Sequence, residues 1–295
     1  MSVRELLVGF DGSDDSQNAL TWALEEASRS GGSVRLIYAF EWMSGAAWAG
    51  PGMLPTVWPD ETARQELEDL VKAAVDAAGK THPGVQVHGE VVDGPAPLVL
   101  QERSAHADLM VVGSRGQGGF AGLLVGSTSI ALSGHAHCPV VVIRGEEALS
   151  HAHTGGVVVG VDGSAHSLRA LEFAAAQAAQ RTVPLRVLRI WSPPAPRWGP
   201  PELDPEKIAA QERAAAEESV APWRERHPEL EITIEIATGS PAAVLVEASR
   251  QAQLAVVGTR GRGGLRGMLL GSVSQQLIQH GHCPVAVVPE LHQEQ

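Results

Sequence analysis

The 295-residue chain has 2 cysteines, 1 tyrosine and 4 phenylalanines, and its lysines are Lys72, Lys80 and Lys207. Each scarcity closes a class of reading. Two cysteines, Cys138 and Cys283, are too few for a disulfide framework and fit reduced thiols. Arginine and lysine together number 22 against 34 acidic residues, a net charge of −12, which would repel a nucleic acid. No window approaches the roughly 18 uninterrupted apolar residues that span a bilayer, so no membrane partner is expected. The opening residues Met1–Asp11 carry Arg4 and Glu5 and lack the apolar core of a signal peptide, so a cytoplasmic location is expected. The few lysines also exclude a Walker A loop, which needs Lys directly after its last Gly.

What is present is a repeat. Leu6–Ser13 matches Val157–Ser164 at an offset of 151, with Ser16, Ala19 and Leu20 matching Ser167, Ala170 and Leu171. Further on, His82-Pro83 matches His227-Pro228, Gly94 matches Gly239 and Cys138-Pro139 matches Cys283-Pro284, now at an offset of 145. The first copy therefore carries six extra residues after its second apolar run. The expected organisation is a domain over residues 1–145, a linker over 146–155 and a second domain over 156–290.

Within a copy, short β-branched runs alternate with helix patterns. Glu5–Phe10, Val34–Phe40, Val85–Val92, Leu109–Gly113 and Val140–Ile143 have the character of buried parallel strands. Ser16–Arg29, Glu61–Ala78, Pro97–Ala105 and Ser127–Ser133 have that of helices. The alternation predicts an α/β protein of two tandem, doubly wound, mostly parallel five-stranded domains, with ligands at the carboxyl ends of the strands.

The motif with chemistry in it is also doubled. Val111, Val112, Gly113, Ser114, Arg115 and Gly116, nine residues, then Gly126-Ser127 returns as Val256, Val257, Gly258, Thr259, Arg260 and Gly261, nine residues, then Gly271-Ser272. Glycine lets a backbone approach phosphate oxygens and admits positive φ. The Gly-Ser step opens a helix whose N–H groups and dipole favour an anion. Ser127, Thr128 and Ser129, with Ser272 and Ser274 in the second copy, could add hydroxyl donors, and Arg115 and Arg260 could offset phosphate charge. Asp11-Gly12-Ser13 and Asp162-Gly163-Ser164 close the first strands nearby. With no lysine in it, such a cradle suits holding a phosphate better than cleaving one.

The Gly-x-x-Gly-nine-Gly-Ser pattern after an Ala-Asp-Leu-Met-Val-Val-Gly run resembles the ATP-binding universal stress proteins. So do the Val-Gly-x-Asp-Gly-Ser opening and the closing Cys-Pro-Val-Val-Val run. The resemblance covers nearly the whole chain. It implies strand order 3-2-1-4-5 in each domain and pairing of the two domains through their last strands as a pseudo-dimer. It implies that Asp11 and Asp162 meet ribose, that the backbone at Ala39 and Ile190 reads the adenine edge, and that the remaining contacts lie in the two cradles. These are Val112, Gly113, Arg115, Gly116, Gly126, Ser127 and Thr128 in the first copy. In the second they are Val257, Gly258, Arg260, Gly261, Gly271, Ser272 and Val273. Val273 departs from the pattern by lacking the hydroxyl of Thr128, so two sites of unequal affinity are expected. The resemblance implies an ATP-binding regulator of the stress response, with no metal ligand from protein side chains, Mg carried by the ATP phosphates, adenine nucleotide as partner and a homodimer of the tandem chain. A slow ATP hydrolase and a cyclic-AMP-binding regulator remain as alternatives.

Three features invite other readings. His135, His137 and Cys138, with His280, His282 and Cys283, could bind a metal if the last strands brought them together, or could be turn and core residues. Trp42, Trp48, Trp58, Trp191 and Trp198 fall in the segments after the second runs and could form a lid, a contact surface or a packed loop. His106 and His166, unmatched between copies, read as surface residues.

Overall fold

A computed structural model of the chain describes residues 5–41, 61–117, 124–146, 155–191, 204–262 and 269–290. The first half runs β1 (Glu5–Gly9), α1 (Asp14–Ser30), β2 (Ser33–Phe40), α2 (Glu61–Thr81), β3 (Gln86–Asp93), α3 (Ala96–Arg103), β4 (Leu109–Gly113), α4 (Ser127–His135) and β5 (Val140–Ile143). The second runs β6 (Gly156–Gly160), α5 (Ala165–Arg181), β7 (Leu185–Trp191), α6 (Pro205–Arg226), β8 (Ile232–Thr238), α7 (Pro241–Ala248), β9 (Ala252–Gly258), α8 (Ser272–His280) and β10 (Val285–Val288). Ser13 and Ser164 start α1 and α5 by accepting the N–H of Ser16 and Ser167. The expected helix over Pro97–Ala105 instead breaks after Arg103 into a 3-10 turn, Ser104–His106.

Among the described residues ten strands join one sheet in the order β3-β2-β1-β4-β5-β10-β9-β6-β7-β8. Neighbours within each half are parallel, which gives order 3-2-1-4-5 twice. At the centre β5 and β10 pair antiparallel, with Val142 opposite Val285, Val141 opposite Ala286 and Val140 opposite Val287. The halves are thus a pseudo-dimer within one chain. Their strands run in opposite directions, which places the carboxyl ends of the two halves on opposite rims.

Helices cover both faces, so successive residues of the inner strands are buried: Leu6 and Val8 pack toward α1 with Trp22 and Ala23, Leu7 toward α3 and α4 with Met110 and Leu132. The halves meet again where α1 crosses α5. Glu26 is 2 % exposed there; it accepts from Gln177 Nε2 at 3.1 Å and pairs with Arg181 at 2.8 Å and Arg29 at 3.2 Å. The Arg181 guanidinium also lies 5.5 Å above the Trp22 ring.

Trp191 closes β7 rather than lying beyond it, a correction to the sequence reading; Trp42, Trp48, Trp58 and Trp198 lie outside the described residues, as do the six extra residues. The histidine–cysteine clusters do not meet. In the antiparallel register Cys283 stands opposite residue 144, six positions from Cys138, or about 20 Å along the strand. Both thiols are buried, which pushes each up to about 12. Among the described residues no three His, Cys, Asp or Glu side chains are grouped to hold a metal ion.

Candidate functional site

Each half has a cavity at the carboxyl ends of its first, second and fourth strands. In the first turn, Gly12 takes φ 81°, which the tight Asp-Gly-Ser turn requires; Gly163 takes φ 83°. The turn folds the Asp11 carboxylate back on itself. Its Oδ1 accepts from Ser13 N–H at 3.0 Å and Ser13 Oγ–H at 2.6 Å, while Oδ2 reaches across to the β4 loop and accepts Gln117 N–H at 2.9 Å. Asp162 does the same with Ser164 at 2.9 and 2.6 Å and Arg262 N–H at 2.7 Å. Burial opposes the Asp162 charge, but the hydrogen bonds from Ser164, Arg262 and Ser167 outweigh it and hold the carboxyl below its usual range.

This staple explains one cradle glycine. A Cβ on Gly116 would overlap Asp11 Oδ2, and one on Gly261 would overlap Asp162 Oδ2. A Cβ on Gly113 would lie 2.7–2.8 Å from the Asp15 backbone, where α1 crosses the end of β4. None of the six motif glycines has positive φ, contrary to one of the reasons expected from sequence. Gly126 is different in kind: it caps α4 in extended geometry, and the nearest atom to a Cβ there is Ser114 O at 3.4 Å. Gly271 repeats this above Thr259 O. Protein atoms leave room for a methyl at both.

Neither α4 nor α8 is capped by a side chain. Their first-turn N–H groups are therefore left for something else, at the positive end of the helix dipole. The Gly126 N–H donates to Ser114 O at 2.7 Å and the Gly271 N–H to Thr259 O at 2.7 Å, which fixes each helix end against its loop. Ser129 Oγ donates to Gly113 O at 2.6 Å, and Ser274 Oγ lies within 3.1 Å of Gly258 O and 3.0 Å of Thr259 O. Those two buried hydroxyls are spent on the backbone. The expectation that they add donors to a ligand is corrected; Ser127, Thr128 and Ser272 stay at the cavity wall.

The structure brings the sequence-predicted residues together in two groups. The first cavity, about 360 Å³, is lined by Asp11, Ala39, Val112, Gly113, Arg115, Gly116, Gly126, Ser127 and Thr128. The second, about 430 Å³, is lined by Asp162, Ile190, Val257, Gly258, Arg260, Gly261, Gly271, Ser272 and Val273. Both volumes suit a small organic ligand. Apolar walls that the sequence did not single out come from Phe10, Ile37 and Leu100, and from Leu245 and Leu270.

Asp15 and His166, at matching positions, were also missed. The Asp15 carboxylate accepts Ser114 Oγ–H at 2.8 Å and Arg115 N–H at 3.1 Å. His166 instead meets Thr259 Oγ1 at 3.1 Å and Glu290 at 3.1 Å, its side chain only 13 % exposed. It is not the surface residue expected from sequence, whereas His106 is exposed. Their different chemistry hid the shared task of holding the β4 and β9 loops.

The sequence profile of the universal stress protein family matches residues 2–144 and again 155–289. The chain belongs to that family. A universal stress protein of Mycobacterium tuberculosis is 37% identical over 289 residues, covering 97% of this chain and 96% of the relative. One from Mycolicibacterium smegmatis is 36% identical over 290 residues, covering 96% of each. Among solved structures, a universal stress protein from Archaeoglobus fulgidus superposes with a TM-score of 0.69 at 20% identity, covering 98% of this chain and 99% of its own. At that identity the likeness is one of fold. Family and fold agree with the resemblance carried by the doubled motif.

Proposed function

We propose that this universal stress protein binds an adenine nucleotide in each half, ATP with magnesium held on its phosphates, and acts as a cytoplasmic regulator of the stress response. The observation that carries the proposal is the uncapped N-terminus of α4 and of α8, each opening on a cavity at a glycine where protein atoms leave space. Phosphate oxygens would take the N–H groups of Ser127 and Thr128, or of Ser272 and Val273. The apolar walls suit adenine, with the main chain at Ala39 and Ile190 along its edge. Asp11 and Asp162, already oriented by their staples, would face the ribose.

Holding is favoured over turnover. Lys72 and Lys80 lie on α2 and Lys207 on α6, so no lysine stands at either cavity to gather charge on a β- or γ-phosphate. The Asp11 and Asp162 carboxylates are occupied by backbone and hydroxyl donors, which leaves neither free to act as a general base. Magnesium would enter with the phosphates. Assembly of two tandem chains into a homodimer is part of the same proposal, and sedimentation velocity would test it.

The decisive experiment is to denature the purified chain, identify released nucleotide by mass spectrometry, and measure phosphate release. Bound ATP with negligible turnover is the expected result. Cyclic AMP in its place, or turnover that vanishes in a Gly126→Ala/Gly271→Ala chain, would replace the proposal by the cyclic-nucleotide or hydrolase alternative.

A further inference from the structure

The two cavities share a frame but differ in charge. Gln117 and Arg262 hold equivalent places: each main-chain N–H donates to the Asp carboxylate of its half, at 2.9 and 2.7 Å. Each side chain then folds back over the glycine of the Asp-Gly-Ser turn. Gln117 Nε2 lies 3.2 Å from the position of a Cβ on Gly12, and Arg262 Nη2 lies 2.6 Å from that of a Cβ on Gly163. An amide thus stands in the first half where a guanidinium stands in the second.

A second difference acts in the same direction. Arg115 Nε lies 3.6 Å from the Asp15 carboxylate, which is 8 % exposed. At the matching position His166 offers no carboxylate to Arg260, and it engages Glu290 itself. Among the described residues neither Arg260 nor Arg262 has a carboxylate within ion-pair distance of its guanidinium. Arg189 also comes within 3.3 Å of the Gly163 Cβ position, but it is buried and paired with Glu212. Among the described residues the first cradle therefore has one guanidinium held by an acid, and the second has two without an acid partner.

We infer that Arg260 and Arg262 make the second site selective for polyphosphate, whereas the first accepts nucleotides of lower charge with little discrimination. The inference rests on the nucleotide proposal above. It also reverses the ranking that the Thr128/Val273 difference alone would give. A neutral hydroxyl donor is about half as strong as a charge-assisted one, so the arginines outweigh the missing hydroxyl.

The test is calorimetric titration of the full chain with ATP and with AMP, one cavity closed at a time by Gly126→Val or Gly271→Val. The open second site should prefer ATP by about tenfold or more and the open first site by about threefold or less. Arg262→Gln should lower ATP affinity at the second site by about tenfold while changing AMP affinity by less than about twofold, and Gln117→Arg should confer the preference on the first. If ATP binds but both exchanges leave the ATP-to-AMP ratio unchanged, the inference is wrong and the nucleotide proposal stands. If neither nucleotide binds the unmodified chain, the proposal fails and the inference with it.

Discussion

Two of the cradle glycines give opposite predictions, which separates folding from binding. In Gly116→Ala the new methyl must displace the Asp11 carboxylate, because it would overlap Oδ2. The hydrogen bond from Gln117 N–H, 2.9 Å in the native chain, is then lost. A bond to a charged acceptor is worth about 1.5–3 kcal/mol, so about 2 kcal/mol of stability should go. At about 2–4 °C per kcal/mol, Tm without nucleotide should fall by about 4–8 °C. In Gly126→Ala the nearest atom is Ser114 O at 3.4 Å and the cap residue has φ −72°, ψ 151°, which alanine adopts. Only the poorer capping preference is paid, about 0.5–1 kcal/mol, or about 1–4 °C. That methyl occupies the space in front of the free N–H groups, so two charge-assisted bonds should weaken and ATP affinity at the first site should fall about 100-fold. Differential scanning fluorimetry with and without ATP, on the chain with its second cavity closed by Gly271→Val, reads both quantities. A Gly126→Ala chain that binds ATP like its parent, or a Gly116→Ala chain that melts like it, would refute the reasoning.

Three further outcomes are expected. Glu26→Ala should cost about 3–5 kcal/mol in urea denaturation, because Arg181 is left buried without its acid; a loss below about 1 kcal/mol would mean that the cluster is solvated. Asp162 has a depressed folded pKa, so its contribution is present above the ordinary carboxylate value and is lost as pH falls through the folded one. Asp162→Asn should therefore flatten the acid limb of the stability curve below about pH 4 and leave its slope near neutrality unchanged. The thiols of Cys138 and Cys283, pushed up to about 12 by burial, should not react with Ellman's reagent at pH 8 until the chain unfolds; rapid native labelling would contradict their packing.

The valine-rich runs and the doubled glycine spacing made the layered fold and both cavity walls legible, since buried parallel strands and helix-opening Gly-Ser steps are local signals. What stayed hidden depends on which atoms meet across the chain. Gly116 is small because of Asp11, 105 positions earlier. Asp15 and His166 share a place but no chemistry, so a comparison of copies passed over them. Ser129 looks like Thr128 in sequence, yet helical rotation turns its hydroxyl to Gly113 O rather than to the cavity. The two histidine–cysteine clusters looked complementary until the antiparallel register sent them to opposite ends of the central pair.

That central pair also governs which surfaces remain for other chains. Val140–Ile143 and Val285–Val288 are wholly apolar, and either would be an adhesive border if its half stood alone. Tethering makes their encounter intramolecular, at an effective concentration that a free partner would have to match. The two borders consume each other, and among the described residues the outer rims of the sheet are β3 and β8, which carry His88, Glu90 and Asp93, and Glu235. A half expressed by itself should pair with its twin through the vacated valine edge, an edge that the intact chain no longer offers to another copy.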